Sequence, residues 1–302
     1  MKRNQLGRSD LFVSEVGFGT MSLPANETEA IKLIHNAMDQ GITFFDTADL
    51  YEQGRIETVL GKAIKGHRDE VILASKVGNH WESGKDGWFW DPSKTYIKKA
   101  IKGSLKRLGV DYLDLYQLHG GTLEDPIEET IEAFEELKQE GLIRWYGISS
   151  IRPNVIREYV TRSNIVSVMM QYSLLDRRPE ETVLDLLYEN QISVIARGPV
   201  AKGLLSANGL ARIPSNGYLD YSPLELESTI NKLTQSLPTD MSLSHAAIRY
   251  VLTHPAVATV IPGASRSEQV IENAEAAKVQ LTDQVSHSLR DLTKPTFYDQ
   301  HR

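Results

Sequence analysis

The sequence predicts an α/β protein built as one (β/α)8 TIM barrel, with an N-terminal β-hairpin and extra helices or long loops on its C-terminal side. Three observations carry that expectation. Eight short runs rich in Val, Ile, Leu and Phe recur along the 302 residues, and longer stretches of helical periodicity separate them. Runs of this composition suit strands buried on both faces. Their alternation with helices calls for a parallel sheet, because parallel neighbours need a crossover between them. No Gly/Ser-rich or Pro-rich linker interrupts the series, so residues 1–302 read as a single barrel domain.

In chain order, Arg3–Phe12 contains Leu6-Gly7-Arg8-Ser9-Asp10-Leu11, a hairpin ahead of the first barrel strand at Val13–Phe18. The remaining strands are expected at Thr43–Asp46, Val71–Ser75, Leu113–Gln117, Ile143–Ile148, Val166–Met170, Ile192–Ala196 and Ala258–Ile261. Thr28–Gln40 carries Ile31, Ile34 and Met38 on one side and stops at Gly41. Ser93–Leu108 carries Ile97, Ile101, Leu105 and Leu108, with Gly109 as its C-cap. Pro126–Glu140 opens on Pro and acidic residues and presents Ile127, Ile131, Phe134 and Leu137. Helices also fit Pro153–Val160, Pro179–Glu189 and Ser267–Ala277. The segment Gly198–Ser242, dotted with Gly, Pro and Ser, reads as a long excursion after strand seven. Loops at that end of a barrel strand build the site.

Composition narrows the function. A net charge of −7 argues against a general nucleic-acid binder, which shows a basic face. The absence of cysteine excludes disulfides, thiolate nucleophiles, iron–sulfur clusters and Cys-containing zinc sites. No run approaches the length needed to cross a bilayer, and the basic start Met1-Lys2-Arg3 is not followed by an apolar stretch. A cytoplasmic protein without membrane or nucleic-acid partners is expected. A monomer is preferred over a homo-oligomer, since nothing marks an interface.

Val16-Gly17-Phe18-Gly19-Thr20 has the look of a dinucleotide fingerprint after a strand. The third glycine position holds Ser22, and Leu23-Pro24-Ala25-Asn26 delays the helix. The close helix approach that the third glycine permits is missing, so the segment reads as a tight, glycine-lined strand exit.

Four ionisable residues sit at or just past strand ends. Asp46 ends strand two, Tyr51 follows five positions later, Lys76 ends strand three and His119 ends strand four. In a closed barrel these ends converge on one mouth. A tyrosine hydroxyl titrates near about 10, too weak an acid for rapid work at neutrality, and a neighbouring ammonium favours its ionised form. Asp46 would hold Lys76 charged, and His119 is placed to donate a hydrogen bond to a substrate oxygen. The set suits protonation of a carbonyl oxygen. No side chain delivers hydride, so a nicotinamide must supply it. Taken singly, each residue has a structural reading: Asp46 as a turn or N-cap aspartate, Tyr51 as packing, His119 as a satisfied barrel-end histidine. Lys76 is the least comfortable as a structural residue, because a buried ammonium needs a partner.

The stretch Phe44-Phe45-Asp46-Thr47-Ala48-Asp49-Leu50-Tyr51-Glu52-Gln53-Gly54 closely resembles the strand-two signature of the aldo-keto reductases. Leu73-Ala74-Ser75-Lys76, Asp114-Leu115-Tyr116-Gln117-Leu118-His119, Gly147-Ile148-Ser149, Gln171-Tyr172-Ser173 and Val260-Ile261-Pro262-Gly263 resemble its later signatures in order. The likeness is to a bacterial branch similar to the potassium-channel β subunits. It implies a tetrad of Asp46, Tyr51, Lys76 and His119, with Tyr51 as general acid, and an extended NADP(H) across the barrel mouth. It further implies cofactor contacts from Gly19 and Thr20, from Ser149 and Gln171 to the nicotinamide carboxamide, and from Arg197, Gly198, Pro199 and Gly203. Ser265, Arg266, Gln269 and Asn273 fall where the family binds the adenosine 2′-phosphate and adenine. The substrate implied is a small-molecule carbonyl compound, an aldehyde or ketone. The alternative is a regulatory protein that binds NADP(H), turns over slowly and reports redox state.

Three positions depart from the family pattern. Ser150 replaces a common Asn, Arg197 stands where several branches stack an aromatic under the nicotinamide, and Gln269 replaces a basic residue, leaving Arg266 as the main charge for the 2′-phosphate. Trp81, Trp88, Phe89 and Trp90 crowd the loop after strand three and either line an aromatic substrate pocket, the preferred reading because loops at this end carry specificity, or plug the barrel mouth against water.

Overall fold

The computed structural model describes residues 1–82 and 84–302. The chain opens with β1 (Arg3–Gln5) and β2 (Phe12–Ser14), an antiparallel pair. There follow β3 (Phe18–Gly19), α1 (Glu27–Asp39), β4 (Phe44–Asp46), α2 (Arg55–Ala63) and β5 (Ile72–Val77). A small antiparallel ribbon, β6 (Asn79–His80) with β7 (Phe89–Trp90), leads to α3 (Lys94–Leu108) and β8 (Leu113–Leu118). The second half runs α4 (Ile127–Gln139), β9 (Ile143–Ser149), α5 (Pro153–Arg162), β10 (Ser167–Gln171), α6 (Val183–Glu189) and β11 (Ser193–Arg197). It closes with α7 (Pro223–Ser236), α8 (Leu243–Val251), β12 (Val257–Ile261), α9 (Ser267–Glu275) and α10 (Asp283–Asp291).

Eight parallel strands pair in the order β3-β4-β5-β8-β9-β10-β11-β12. Parallel bridges Val16–Val260 and Gly19–Gly263 join the two ends. Gly17 N donates to Val260 O at 2.8 Å and Val260 N to Glu15 O at 3.0 Å, so the sheet is a barrel. The helices lie outside, and their apolar faces form one large core with the outward side chains of the strands. A second cluster fills the barrel interior: Phe44, Ala74, Leu115, Val166, Met169, Ile195, Ala258 and Ile261, joined by Leu6, Leu11 and Val13 of the hairpin, which plugs the N-terminal end.

Side chains on a strand repeat every second residue. The residue two beyond an interior apolar one therefore also points inward, one layer nearer the C-terminal mouth. Phe44 is followed in this way by Asp46, Ala74 by Lys76, Leu115 by Gln117, Met169 by Gln171 and Ile195 by Arg197. Cross-strand pairing of Ala74 with Leu115 and Lys76 with Gln117 keeps the layers level. An apolar floor thus carries a polar ring.

The expected first strand, Val13–Phe18, divides in two. Phe12–Ser14 belongs to the hairpin and only Phe18–Gly19 pairs with β4. The break is at Ser14, whose hydroxyl accepts from Thr43 N at 3.0 Å and donates to Val16 O at 2.7 Å, turning the chain upward into the barrel. The excursion Gly198–Ser242 is not a plain loop, because it contains α7. That helix begins on a capping box in which Ser222 and Glu225 exchange hydrogen bonds, with Pro223 at its first turn. Helices α2, α8 and α10 also go beyond the sequence expectation. The Pro179–Glu189 helix resolves into a 3-10 turn, Arg178–Glu181, followed by α6.

Candidate active site

The four ionisable residues meet at the C-terminal mouth. Lys76 Nζ lies 2.6 Å from Asp46 Oδ2, with both side chains sealed from solvent. The ammonium donates to Thr47 O at 2.8 Å and to Tyr51 Oη at 3.2 Å. Its three protons are thereby used. Gln117 Nε2 approaches the other carboxylate oxygen of Asp46 at 3.4 Å. Burial on its own would push the lysine toward its neutral form, but the Asp46 carboxylate and Tyr51 hold its pKa above the ordinary value, so it stays charged.

Local structure sets each group. Lys76 is inside β5, paired with Gln117 of β8 on one side, and on the other its carbonyl accepts from Asp49 N at 3.4 Å. Thr20 lies buried below the mouth and donates from its hydroxyl to Asp46 O at 2.9 Å, fixing the end of β4. Tyr51 begins a tight turn in which Glu52 and Gln53 adopt left-handed backbone angles, φ 47 and 51°. His119 follows β8, its amide bonded to Val77 O at 2.7 Å. Its ring meets that of Tyr51 edge to face at 6.0 Å. Burial, then the positive charges of Lys76 and Arg197, pushes the imidazole down to about 3. At neutral pH it is uncharged and has one N–H to donate.

A cleft of about 1070 Å³ extends from this group across the mouth. Gly19, Ser149, Gln171, Arg197, Gly198, Pro199, Gly203, Ser265, Gln269 and Asn273 all line it. The carboxamide of Gln171 is held at both ends: Nε2 donates to Tyr218 Oη at 2.8 Å, and Oε1 accepts from Arg197 at 3.1 Å. Gln269 Oε1 accepts from Ser265 N at 2.9 Å, so this side chain shapes the turn at Ser265 as well as the cleft. Two of the expected residues stand apart. Thr20 acts from beneath, as described. Arg266 is exposed at the N-cap of α9 and is outside the cleft lining.

Sequence reading missed several lining residues. Lys202 and Arg212 bring two further cations, and among the described residues neither they nor Arg197 makes an ion pair with a carboxylate. Lys202 sits in a left-handed turn (φ 57°) beside Gly203, where a Cβ would come within 3.0 Å of the Arg212 side chain. Glu272 also lines the cleft and accepts from Ser244 Oγ. Lys202 and Arg212 lie within the excursion Gly198–Ser242 that the sequence flags as site-building, although neither is singled out there, and Glu272 lies on α9. Of the aromatic cluster after β5, Trp88 and Trp90 line the cleft. Trp90 donates to Asp125 Oδ1 at 2.9 Å and lies against Gly78 and Gly120, where added Cβ atoms would come within 2.6 and 3.1 Å of the indole. Phe89 packs on His80 instead, and Trp81 lies under Arg107.

A nicotinamide dinucleotide suits this architecture. The cleft carries Arg197, Lys202 and Arg212 without ion-pair partners among the described residues, together with the charged Lys76 and the buried Nδ1 of His119, which has no hydrogen-bond partner among them.

Known proteins resemble this chain over nearly its whole length. The profile of the aldo/keto reductase family matches residues 15–294. An uncharacterized oxidoreductase of Bacillus subtilis (strain 168), YqkF, is 55% identical over 307 residues, with 100% of both chains covered. The holo form of aldo-keto reductase AKR11C1 from Bacillus halodurans superposes with a TM-score of 0.95 at 57% identity, covering 100% of this chain and 99% of that one. An aldo/keto reductase from Klebsiella pneumoniae, solved with NADP and acetate, gives a TM-score of 0.78 at 28% identity, covering 97% of this chain and 95% of that one.

Proposed function

The chain belongs to the aldo/keto reductase family of oxidoreductases, and on that premise we propose that it reduces aldehydes and ketones to alcohols with NADP(H), Tyr51 giving the proton. The observation that carries the reading is the sealed Lys76–Asp46 pair, whose ammonium donates to Tyr51 Oη at 3.2 Å.

Bound NADP(H) would supply the hydride, the one component these side chains lack. Lys202 and Arg212 are the cations suited to its phosphates, with Arg266 at the rim of α9 for the 2′-phosphate, whereas Arg197, bonded to Gln171, belongs to the nicotinamide end. Ser149 and Gln171 present hydrogen-bonding groups for the carboxamide, and Gly19, Gly198, Pro199 and Gly203 keep the walls low. Ser265, Gln269 and Asn273 serve the adenosine end, and Thr20 supports Asp46 from below.

Tyr51 then hands its proton to the substrate oxygen. Negative charge left on Oη is met by the Lys76 ammonium, which Asp46 keeps in place and charged. The neutral His119 offers its N–H to the same substrate oxygen, orienting the carbonyl without competing as an acid. Trp88, Trp90 and Leu50 limit water around the reacting carbon.

The test is a titration of intrinsic Trp fluorescence with NADPH and with NADH, in the wild type and Arg266→Ala. Saturable binding of both, tighter for NADPH and selectively weakened toward NADPH in the variant, is expected. Folded protein that bound neither nucleotide would overturn the proposal. Tight binding with negligible turnover of any aldehyde would favour the regulatory alternative.

A further inference from the structure

The cleft divides by strand. Apart from Gly19 of β3, the residues suited to the cofactor end or follow β9 to β12, whereas Trp88 and Trp90, Gly120 to Thr122, and Ile151 and Arg152 follow β5, β8 and β9. Arg152 is the cation of this second sector. It is the N-cap residue of α5, half-buried, and its backbone amide donates to Ser150 Oγ at 3.2 Å. One guanidinium nitrogen donates to Gly121 O at 2.7 Å. This tether fixes the planar group against the cleft wall and leaves its remaining N–H donors unspent.

The nearby acids are engaged elsewhere. Asp125 accepts from Trp90 Nε1 at 2.9 Å and from Thr122 N at 2.7 Å and its hydroxyl at 2.8 Å. Glu124 is exposed at the rim, its carboxyl held low first by its own backbone and by Thr122, and only then by Arg152. Among the described residues no carboxylate forms an ion pair with Arg152. A guanidinium tethered at one corner and open along its edge is the geometry that takes a carboxylate by paired hydrogen bonds.

The reach is short. Gly121 lies only two residues beyond His119, through the positive-φ glycines Gly120 (φ 151°) and Gly121 (φ 131°), a span of at most about 7 Å. An apolar wall of Trp90, Trp88 and Ile151 runs beside it.

We infer that Arg152 is a carboxylate-binding subsite, so that the preferred substrates are aldehydes or ketones bearing a carboxylate a short, apolar spacer away from the carbonyl. The inference rests on the reductase reading above. It names the substrate class for the same site.

The experiment compares kcat/KM for 4-carboxybenzaldehyde with that for its neutral methyl ester, in the wild type, Arg152→Ala, Arg152→Gln and Arg152→Lys. The ratio of acid to ester within one variant cancels any general loss of structure. Arg152→Gln keeps an N–H toward Gly121 while removing the charge. In the wild type the acid is favoured by about tenfold or more, chiefly through KM. That preference disappears in Arg152→Ala and Arg152→Gln, is partly kept in Arg152→Lys, and shrinks with added salt. A wild-type ratio near one, or a ratio that survives in Arg152→Ala and Arg152→Gln, overturns the inference while leaving the reductase intact. Failure to reduce either compound removes the reductase reading and this inference with it.

Discussion

Lys76 and Asp46 form a buried ion pair at 2.6 Å, inside a barrel whose next layer down is apolar. A charge pair so placed costs desolvation energy that packing alone would not repay. Its retention makes sense through the third contact, from Lys76 Nζ to Tyr51 Oη at 3.2 Å.

Breaking the pair from one side leaves a lone buried charge. Asp46→Asn or Lys76→Met is expected to destabilise the fold by about 3–5 kcal/mol and to abolish turnover. The double variant Asp46→Leu, Lys76→Met removes both charges and should recover much of that stability while remaining inactive. Denaturant unfolding of the three proteins checks this, and a double variant no more stable than either single one would contradict it.

Stability should also depend on pH through His119. Its folded-state pKa, about 3, lies below the unfolded value of about 6.5. The unfolded chain therefore binds a proton that the folded site refuses as pH falls through this window, and folding weakens. His119→Gln removes the penalty. Measured by urea unfolding, the variant should gain on the wild type steadily from pH 6.5 downward; a constant difference would contradict the account.

Asp49 acts in the opposite sense. It is buried behind the Tyr51 turn, and burial first, then the Glu57 carboxylate, raise it to about 8 against the relief from Arg107. Here the folded state keeps a proton that the unfolded chain releases from about pH 4, so stability is lost as pH rises toward 8. Asp49→Asn, which needs no proton, should become progressively more stable than wild type over that range. Thermal melts at intervals from pH 4 to 8 would show it.

Strand spacing offers an independent mechanical test. A Cβ on Gly147 would lie 2.5 Å from Ser167 O and 2.6 Å from Ser167 Oγ, contacts that force β9 and β10 apart. Ser149 and Gln171 end those strands. Gly147→Ala is expected to cost about 1–3 kcal/mol of stability and to weaken NADPH binding, read by calorimetry, although position 147 is outside the cleft lining.

The tetrad was legible in the sequence because each member follows an apolar strand run at a spacing the fold reproduces. Phe44 and Asp46, or Ala74 and Lys76, are two residues apart on one face, and strand geometry does the rest. Arg152, Arg212 and Tyr218 were not legible. Arg212 and Tyr218 reach the cleft from the excursion between β11 and α8, where no periodicity relates them to the barrel axis. Within that excursion α7 had a readable start, the Ser222–Glu225 capping box, hidden among Gly, Pro and Ser residues that suggest loop. The split of Val13–Phe18 depended on Ser14 meeting Thr43, a contact between segments 29 residues apart that no local pattern encodes.

In the proposed reduction, Tyr51 gives the proton to the substrate oxygen. The most direct measurement is steady-state reduction of an aldehyde by Tyr51→Phe, with NADPH affinity determined on the same protein. Loss of kcat by about 100-fold or more, with NADPH binding close to that of the wild type, is the predicted result. Near-normal turnover by a variant that binds NADPH would contradict it and leave the Lys76–Asp46 pair without the role assigned to it here.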